Sequence, residues 1–196
     1  MPRTGLSAEE IKERSIEIAE AKIRQLGFDR VRLVDIAREL GVSHVALYKH
    51  FPDKAALLDA VSEKWLAAFD AELEGVARGN GPAGDRIVAW FLAYHRLKLE
   101  KVRRDPELYR AFDLAAQAMK PFVVRHLEAT GGQLQGLVSD AMREGFFRQA
   151  NPTDVTSLLL ELTVSFHHPK LVAERLNEDR EDRLQVVLVT LFRALR

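Results

Sequence analysis

The chain has 196 residues, enough for one large domain or for a small domain joined to a larger one. With 47% apolar and 30% charged residues it is composed like a globular protein, and with no cysteine it has no disulfide, thiolate metal site or thiol redox sensor, as expected of a cytoplasmic protein. Its 29 Lys and Arg balance 29 Asp and Glu, so no global positive charge advertises a nucleic-acid partner, and any such partner must be read from local pattern. Met1 to Glu10 offers no apolar run of signal-peptide length, and the most apolar later stretch, Leu184 to Leu195, is too short to span a bilayer. No membrane role is expected.

Apolar residues recur at spacings of three and four, and alternating β-branched runs bounded by hairpin turns are absent, so an all-α fold of about nine helices is expected. The first helix should run from Ser7 to about Leu26. Ser7 with Glu10 makes a capping box, Ile16, Ala19, Ile23 and Leu26 share one face, and Gly27 stops the run. Two short helices are expected at about Val34–Leu40 and His44–His50, followed by a long one from Lys54 to about Arg78. Gly79-Asn80-Gly81-Pro82 ends that helix and marks a candidate hinge. Further helices are expected near Ala83–Arg103, Pro106–Met119, Pro121–Glu144, Thr153–His167 and Glu181–Leu195, with a bend at Gly131-Gly132.

The stretch from Arg32 to Lys54 reads as helix, tight turn, helix. Ile36 and Leu40 give the first helix an apolar face, Ala37 lets the second cross close by, and Gly41 can take the positive φ of a sharp turn. Val42 and Leu47 should bury between the two, and Ser43 should cap the second helix. His44 with Tyr48, and Val45 with Lys49, then form adjacent i,i+4 rows facing away from Leu47. A helix with that face fits the major groove of B-DNA, where imidazole, ammonium and phenol bond base edges and phosphates and Val45 meets a thymine methyl. Asp53 can cap the long helix, leaving Lys54 in its first turn beside unpaired amides that suit a phosphate. The local charge is only mildly basic: Arg30, Arg32, Arg38, Lys49 and Lys54 against Asp35, Glu39 and Asp53 leave +2.

The pattern Ile36-Ala37-x-x-x-Gly41-Val42-Ser43-x-x-x-Leu47-Tyr48-x-His50-Phe51-x-x-Lys54-x-x-Leu57-Leu58 resembles the DNA-binding signature of tetracycline-repressor (TetR) type regulators. The match is strongest from Ile16 to Leu58, and later only Gly145-x-Phe147-Arg148 is similar to the family's regulatory half. The resemblance implies an N-terminal three-helix helix-turn-helix DNA-binding domain, residues 1–53, followed by a larger C-terminal helical bundle for effector binding and dimerisation, residues 54–196. It also implies that Tyr48 and Lys54 contact phosphates, that His44, Val45, Ala46 and Lys49 face the groove, and that His50 touches backbone or base. Two positions depart from the family pattern. Leu33 stands where a Thr usually caps the second helix and bonds a phosphate, a contact Arg32 is expected to supply instead, and Lys22 replaces an apolar residue, its stem expected to snorkel over the core.

In the second half Trp90, Tyr94, His95, Phe112, Met119, Phe122 and His126 are candidate lining for a partly apolar small-molecule effector, as the resemblance implies, although such aromatic stripes are also ordinary core. Adjacent His167 and His168 point about 100° apart on a helix and suit a structural role better than a metal. Val155, Leu158, Leu159, Leu162 and Phe166, and the stripe Leu184, Val187, Leu188, Leu191 and Leu195, mark helices apolar on more than one side, as in a homodimer. A dimer would read a near-palindromic double-stranded operator. No cofactor or metal is called for, and no catalytic motif appears. Two alternatives remain: a helical-bundle metal-dependent hydrolase built from His95, His126, Glu161 and His167, and a protein-interaction module using Ser43 to Phe51.

Overall fold

A computed structural model describes residues 5–196; the part of the leader expectation that rests on residues 1–4 lies outside them. Eleven α-helices are found among the described residues. They are α1 (Ala8–Leu26), α2 (Leu33–Leu40), α3 (His44–Tyr48), α4 (Lys54–Ala77), α5 (Ala83–Arg104) and α6 (Pro106–Gln117), then α7 (Pro121–Arg143), α8 (Pro152–Leu162), α9 (Val164–His167), α10 (Pro169–Glu174) and α11 (Glu181–Leu195). A short 3-10 turn, Phe28–Arg30, links α1 to α2. No described helix is long and apolar enough to cross a membrane.

The chain forms two compact units. The first runs to Leu66 and takes in Asp105–Phe122; the second holds Ala67–Arg104 and Val123–Arg196. The first unit therefore extends past the boundary expected at residue 53, and the reason is chemical. Leu108 of α6 is buried in the same apolar cluster as Ile16, Ile23, Ile36, Leu47, Leu57 and Val61. Arg24 of α1 donates twice to buried Asp105, at 2.5 and 3.1 Å, and the Phe28 N–H donates to Glu107 at 3.0 Å. Trp65 meets Phe112 edge-on, with ring centroids 4.9 Å apart. Leu108→Ala is expected to lower the stability of this unit by about 2–5 kcal/mol through lost burial and the cavity left behind. Urea melts followed by circular dichroism would check it, and an unchanged midpoint would mean that α6 is no part of this core.

The capping box at Ser7 and Glu10 is formed, with Ser7 Oγ accepting from the Glu10 N–H at 3.2 Å and Glu10 Oε2 accepting from the Ser7 N–H at 2.8 Å. Ile16, Ala19 and Ile23 are buried, but Leu26, expected on the same face, is exposed because the chain turns at Gly27 immediately after it. Lys22 does more than snorkel: its ammonium pairs with Glu39 of α2 at 2.6 Å.

In the second unit α5 carries the core, burying Ile87, Trp90, Phe91, Tyr94 and Val102. Phe146, in the turn after α7, lies so close to Gly84 that an added Cβ would meet its ring carbons at 2.5–2.7 Å. Only glycine fits beneath that ring. Helix α7 runs unbroken through Gly131 and Gly132, where the sequence led us to expect a bend. The helix expected over Thr153–His167 is instead interrupted at Thr163, whose buried hydroxyl donates to the Leu159 carbonyl at 2.7 Å, the back-bonding that bends helices. His168 is extended, as a residue before proline prefers, and Pro169 opens α10, a helix the sequence reading missed.

Candidate nucleic-acid interface and ligand region

The turn between α2 and α3 is built as its residues require. Gly41 takes φ 74°, and the Val42 N–H donates to the Ala37 carbonyl at 3.0 Å. Ser43 Oγ accepts from the Ala46 N–H at 3.1 Å, capping α3, and Asp53 Oδ1 accepts from the Ala56 N–H at 2.7 Å at the start of α4. Leu47 is fully buried and Val42 packs partly buried against the same core. The opposite side of α3 is open. Val45 is 69% exposed, His44, Tyr48 and Lys49 are exposed beside it, and the His44 and Tyr48 rings touch with centroids 4.2 Å apart. Ala46 and His50 are half-buried at its margin. α3 ends at Tyr48, two residues earlier than expected, yet Lys49 keeps α-helical backbone angles and so continues the same face. Lys54 Nζ donates to the Asp29 carbonyl at 2.9 Å and lies 5.2 Å from the centre of the Phe28 ring.

Leu33 is the first residue of α2 rather than its cap, and it is buried in the core of the unit. The cap position belongs to Arg32, which makes no capping bond. Its guanidinium instead donates to both oxygens of Asp35, at 2.8 and 3.3 Å, while its side chain stays 71% exposed. That pairing holds the Asp35 carboxyl below the usual carboxylate range and fixes the guanidinium at the start of α2. If Arg32 contacts a phosphate, Arg32→Ala weakens binding to all duplexes alike and reduces the salt slope by about 1 per lost contact. An unchanged slope in salt-dependent anisotropy titrations would remove that contact.

The seven candidate lining residues divide between the units. Trp90, Tyr94, His95 and His126 lie in the second; Phe112, Met119 and Phe122 lie in the stretch that belongs to the first. Met119 is not lining at all: it occupies the turn after α6, with φ 47°, and is 54% exposed. In the second unit Tyr94 and His126 join a buried polar cluster with residues the sequence reading passed over. His126 Nδ1 donates to Asp70 Oδ1 at 2.5 Å, Lys98 Nζ donates to the His167 carbonyl at 2.9 Å, and the Tyr94 ring stacks on His167 at 5.1 Å. Lys98 also lies 4.8 Å from the centre of the Tyr94 ring. The missed signal was Lys98 itself, a lysine at the next position of the buried row Ile87, Phe91, Tyr94 on α5.

Burial dominates the protonation of this cluster. It pulls Lys98 down to about 7 against the opposing charge of Asp70, and pulls His167 down to about 3 with help from the Lys98 charge. His126 is lowered by burial despite its bond to Asp70, and burial pushes the Tyr94 hydroxyl up. The histidines do not converge. His95 Nδ1 donates to the Phe166 carbonyl at 2.7 Å, His167 Nε2 donates to the Leu160 carbonyl at 3.1 Å, and no group of three or more His, Asp or Glu among the described residues is placed to hold a metal ion. The hydrolase alternative has no centre on which to rest.

A fold of this kind, with an exposed recognition face on a helix-turn-helix and a separate helical unit, is that of a bacterial transcriptional regulator. The chain matches the family model for the tetracyclin repressor-like C-terminal domain over residues 83–188 and that for bacterial regulatory proteins of the tetR family over residues 16–61. It belongs to the TetR family. It is 29% identical over 76 residues to the HTH-type transcriptional repressor BdcR of Escherichia coli (strain K12), a match that spans 39% of either chain. Among solved structures it resembles a protein of unknown function from Rhodococcus sp. RHA1, with TM-score 0.71 and 23% identity over 100% of this chain and 98% of that one. It also resembles a TetR-family transcriptional regulator from Pectobacterium atrosepticum, with TM-score 0.68 and 24% identity over 99% and 96% of the two chains. These two likenesses speak to the fold.

Proposed function

We propose that this TetR-family protein is a cytoplasmic, dimeric repressor that occupies a near-palindromic operator and leaves it when a small-molecule effector binds. The observation that carries the proposal is the open face of α3: His44, Val45, Tyr48 and Lys49 stand together in solvent on a helix whose other side is locked by Leu47. Packing needs none of those four side chains, and their chemistry is that of groove recognition. Ser43, Ala46, His50 and Lys54 flank the face and Arg32 extends it, so residues 1–53 supply the contacts to DNA. Residues 54–196 take the effector and the partner subunit, with Trp90, Tyr94, His95 and His126 as the lining of the ligand region.

Helix α4 is common to both compact units, Lys54–Leu66 in the first and Ala67–Ala77 in the second. An effector that favours one position of its second half shifts the population of the other, at a coupling of typically about 1–3 kcal/mol. Selection of sites from random duplexes, followed by anisotropy titration at several salt concentrations, tests the DNA claim. A purified protein that retains no duplex at low ionic strength ends it.

The dimer rests on apolar side chains left in water. Val186 of α11 is 65% exposed and Leu162 of α8 is 50% exposed, with Leu158, Val164 and Val189 exposed as well, while Val155, Leu159, Leu184 and Leu188 fill the unit's own core. Covering that second face with its two-fold copy gives a four-helix interface. Val186→Glu with Leu162→Glu is expected to yield monomers by light scattering at micromolar concentration and to weaken operator binding. A wild-type protein that is already monomeric under those conditions overturns the dimer.

A further inference from the structure

Within the second unit, Glu74, Ala77 and Arg78 of α4, Arg86 of α5 and Ala129, Gly132, Gln133, Gly136 and Asp140 of α7 line a groove of about 560 Å³, a volume that suits a small organic molecule. Along its α7 wall the residues are small, and a Cβ added at Gly132 or Gly136 would meet nothing within 4 Å. The groove points along its own helices toward the buried polar cluster. Asp70 precedes Glu74 by four residues on α4 and His126 precedes Ala129 by three on α7, so both stand one helical turn beyond the groove's last lining residues. Gln133 ties the two regions together: it lines the groove, its Oε1 accepts from Trp90 Nε1–H at 3.0 Å, and its Nε2 donates to the Asp70 carbonyl at 3.0 Å.

At the head of this arrangement is one buried polar atom without a hydrogen-bond partner. His126 is 2% exposed, its Nδ1 is committed to the Asp70 carboxylate, and its Nε2 bonds to nothing. Because a carboxylate only accepts, the proton sits on Nδ1 and Nε2 presents a lone pair. A buried acceptor left in that condition is a standing cost that a donor would relieve. The rings of Phe69 and Tyr94 meet the His126 imidazole edge-on, at 5.3 and 6.1 Å, so what approaches Nε2 does so among aromatic surfaces.

We propose that this unit binds a hydroxyl-bearing apolar molecule whose O–H donates to His126 Nε2 while its hydrocarbon body lies toward the groove between α4 and α7. The inference deepens the repressor reading by naming the chemical class of its effector, and it rests on that reading. A hydroxyl fits where other head groups do not. A carboxylate carries no hydrogen to give to Nε2 and would meet the Asp70 carboxylate on the same imidazole; an ammonium would be opposed by Lys98, whose charge is near enough to depress His126. A hydroxyl gives its hydrogen to Nε2 and keeps lone pairs on an oxygen that suits the ammonium of Lys98.

The test is calorimetric titration of the full chain with 2-naphthol, with 2-methylnaphthalene as the same shape without the donor, and with 2-naphthoate. Wild-type protein is expected to bind 2-naphthol at least about tenfold more tightly than either of the others. His126→Asn places an amide N–H where Nδ1–H lies, so it retains the bond to Asp70 and removes only Nε2. That variant is expected to melt within a few degrees of wild type, to lose the preference for 2-naphthol and to keep its affinity for 2-methylnaphthalene. Equal affinities in wild type, a preference that survives in His126→Asn, tightest binding of 2-naphthoate, or no binding of any of the three overturns the proposal. Operator binding by the same preparation separates the two readings: a protein that binds its operator but ignores naphthol refutes the effector class alone, and one that binds no duplex refutes the repressor.

Discussion

Alanine at both Tyr48 and Lys49 is expected to reduce operator affinity by roughly a hundredfold to ten-thousandfold while leaving thermal stability unchanged. The size follows from two direct contacts, each worth about 1–3 kcal/mol of recognition, repeated in the two half-sites that a dimer reads. Double substitutions in one face are not additive, which sets the lower end of the range. Stability is spared because both side chains are exposed and the Tyr48 ring touches only the equally exposed His44 ring on its own helix. Surface changes of that kind stay within about 0.5 kcal/mol. The salt dependence should also flatten, since Lys49 no longer releases counterions. Anisotropy titration on a selected operator, beside a thermal melt of each variant, decides the matter. Affinity within fivefold of wild type would place the recognition surface elsewhere on the protein.

The parts of this molecule most readable in the sequence are those fixed by neighbours in the chain. The capping box at Ser7, the left-handed Gly41, the Ser43 cap and the outward row of His44, Val45, Tyr48 and Lys49 all depend on spacings of three or four residues, and all are present in the structure. What the sequence hid depends on tertiary partners. Nothing local to residues 105–122 says that Leu108 packs in the helix-turn-helix core or that Asp105 meets Arg24, 81 residues away. The same holds for Asp70, an ordinary acidic residue on a long helix until His126 of α7 is set against it. Thr163 shows the limit from the other side. Its apolar neighbours keep helical spacing on both sides, and only the hydroxyl's bond back to Leu159 breaks the helix that periodicity called for.

Folding stability is expected to rise with pH from about 7 to about 9.5, and to lose that rise when Lys98 is replaced by Met. Lys98 is 2% exposed and gives up its proton near pH 7 when folded, against 10.5 as its ordinary value. Between those limits the unfolded chain binds more protons than the folded one, so raising the pH removes protons chiefly from the unfolded state and favours the fold. Each tenfold difference in proton affinity is worth about 1.4 kcal/mol, which sets an upper bound of roughly 5 kcal/mol on the whole window. His167 acts in the same sense at lower pH: held to about 3 when folded against 6.5 ordinarily, it contributes stability above pH 6.5 that drains away as the pH falls toward 3. Asp140 beside Arg86 and Arg143, and Glu181 beside Arg96, are both lowered and add to the loss in acid. The rise ends near pH 10, because Tyr94 is pushed up from 10 and stays protonated in the fold while the unfolded chain ionises, which reverses the slope. Methionine at position 98 fills similar volume without a charge to desolvate, at the loss of the bond to the His167 carbonyl. It should therefore raise stability at pH 7 by about 1–3 kcal/mol and leave the curve flat between 7 and 9.5. Urea titrations at pH 6 to 10 on both proteins measure this directly, and a slope above pH 7 that persists in Lys98→Met would show that the buried amine is not what the fold is holding neutral.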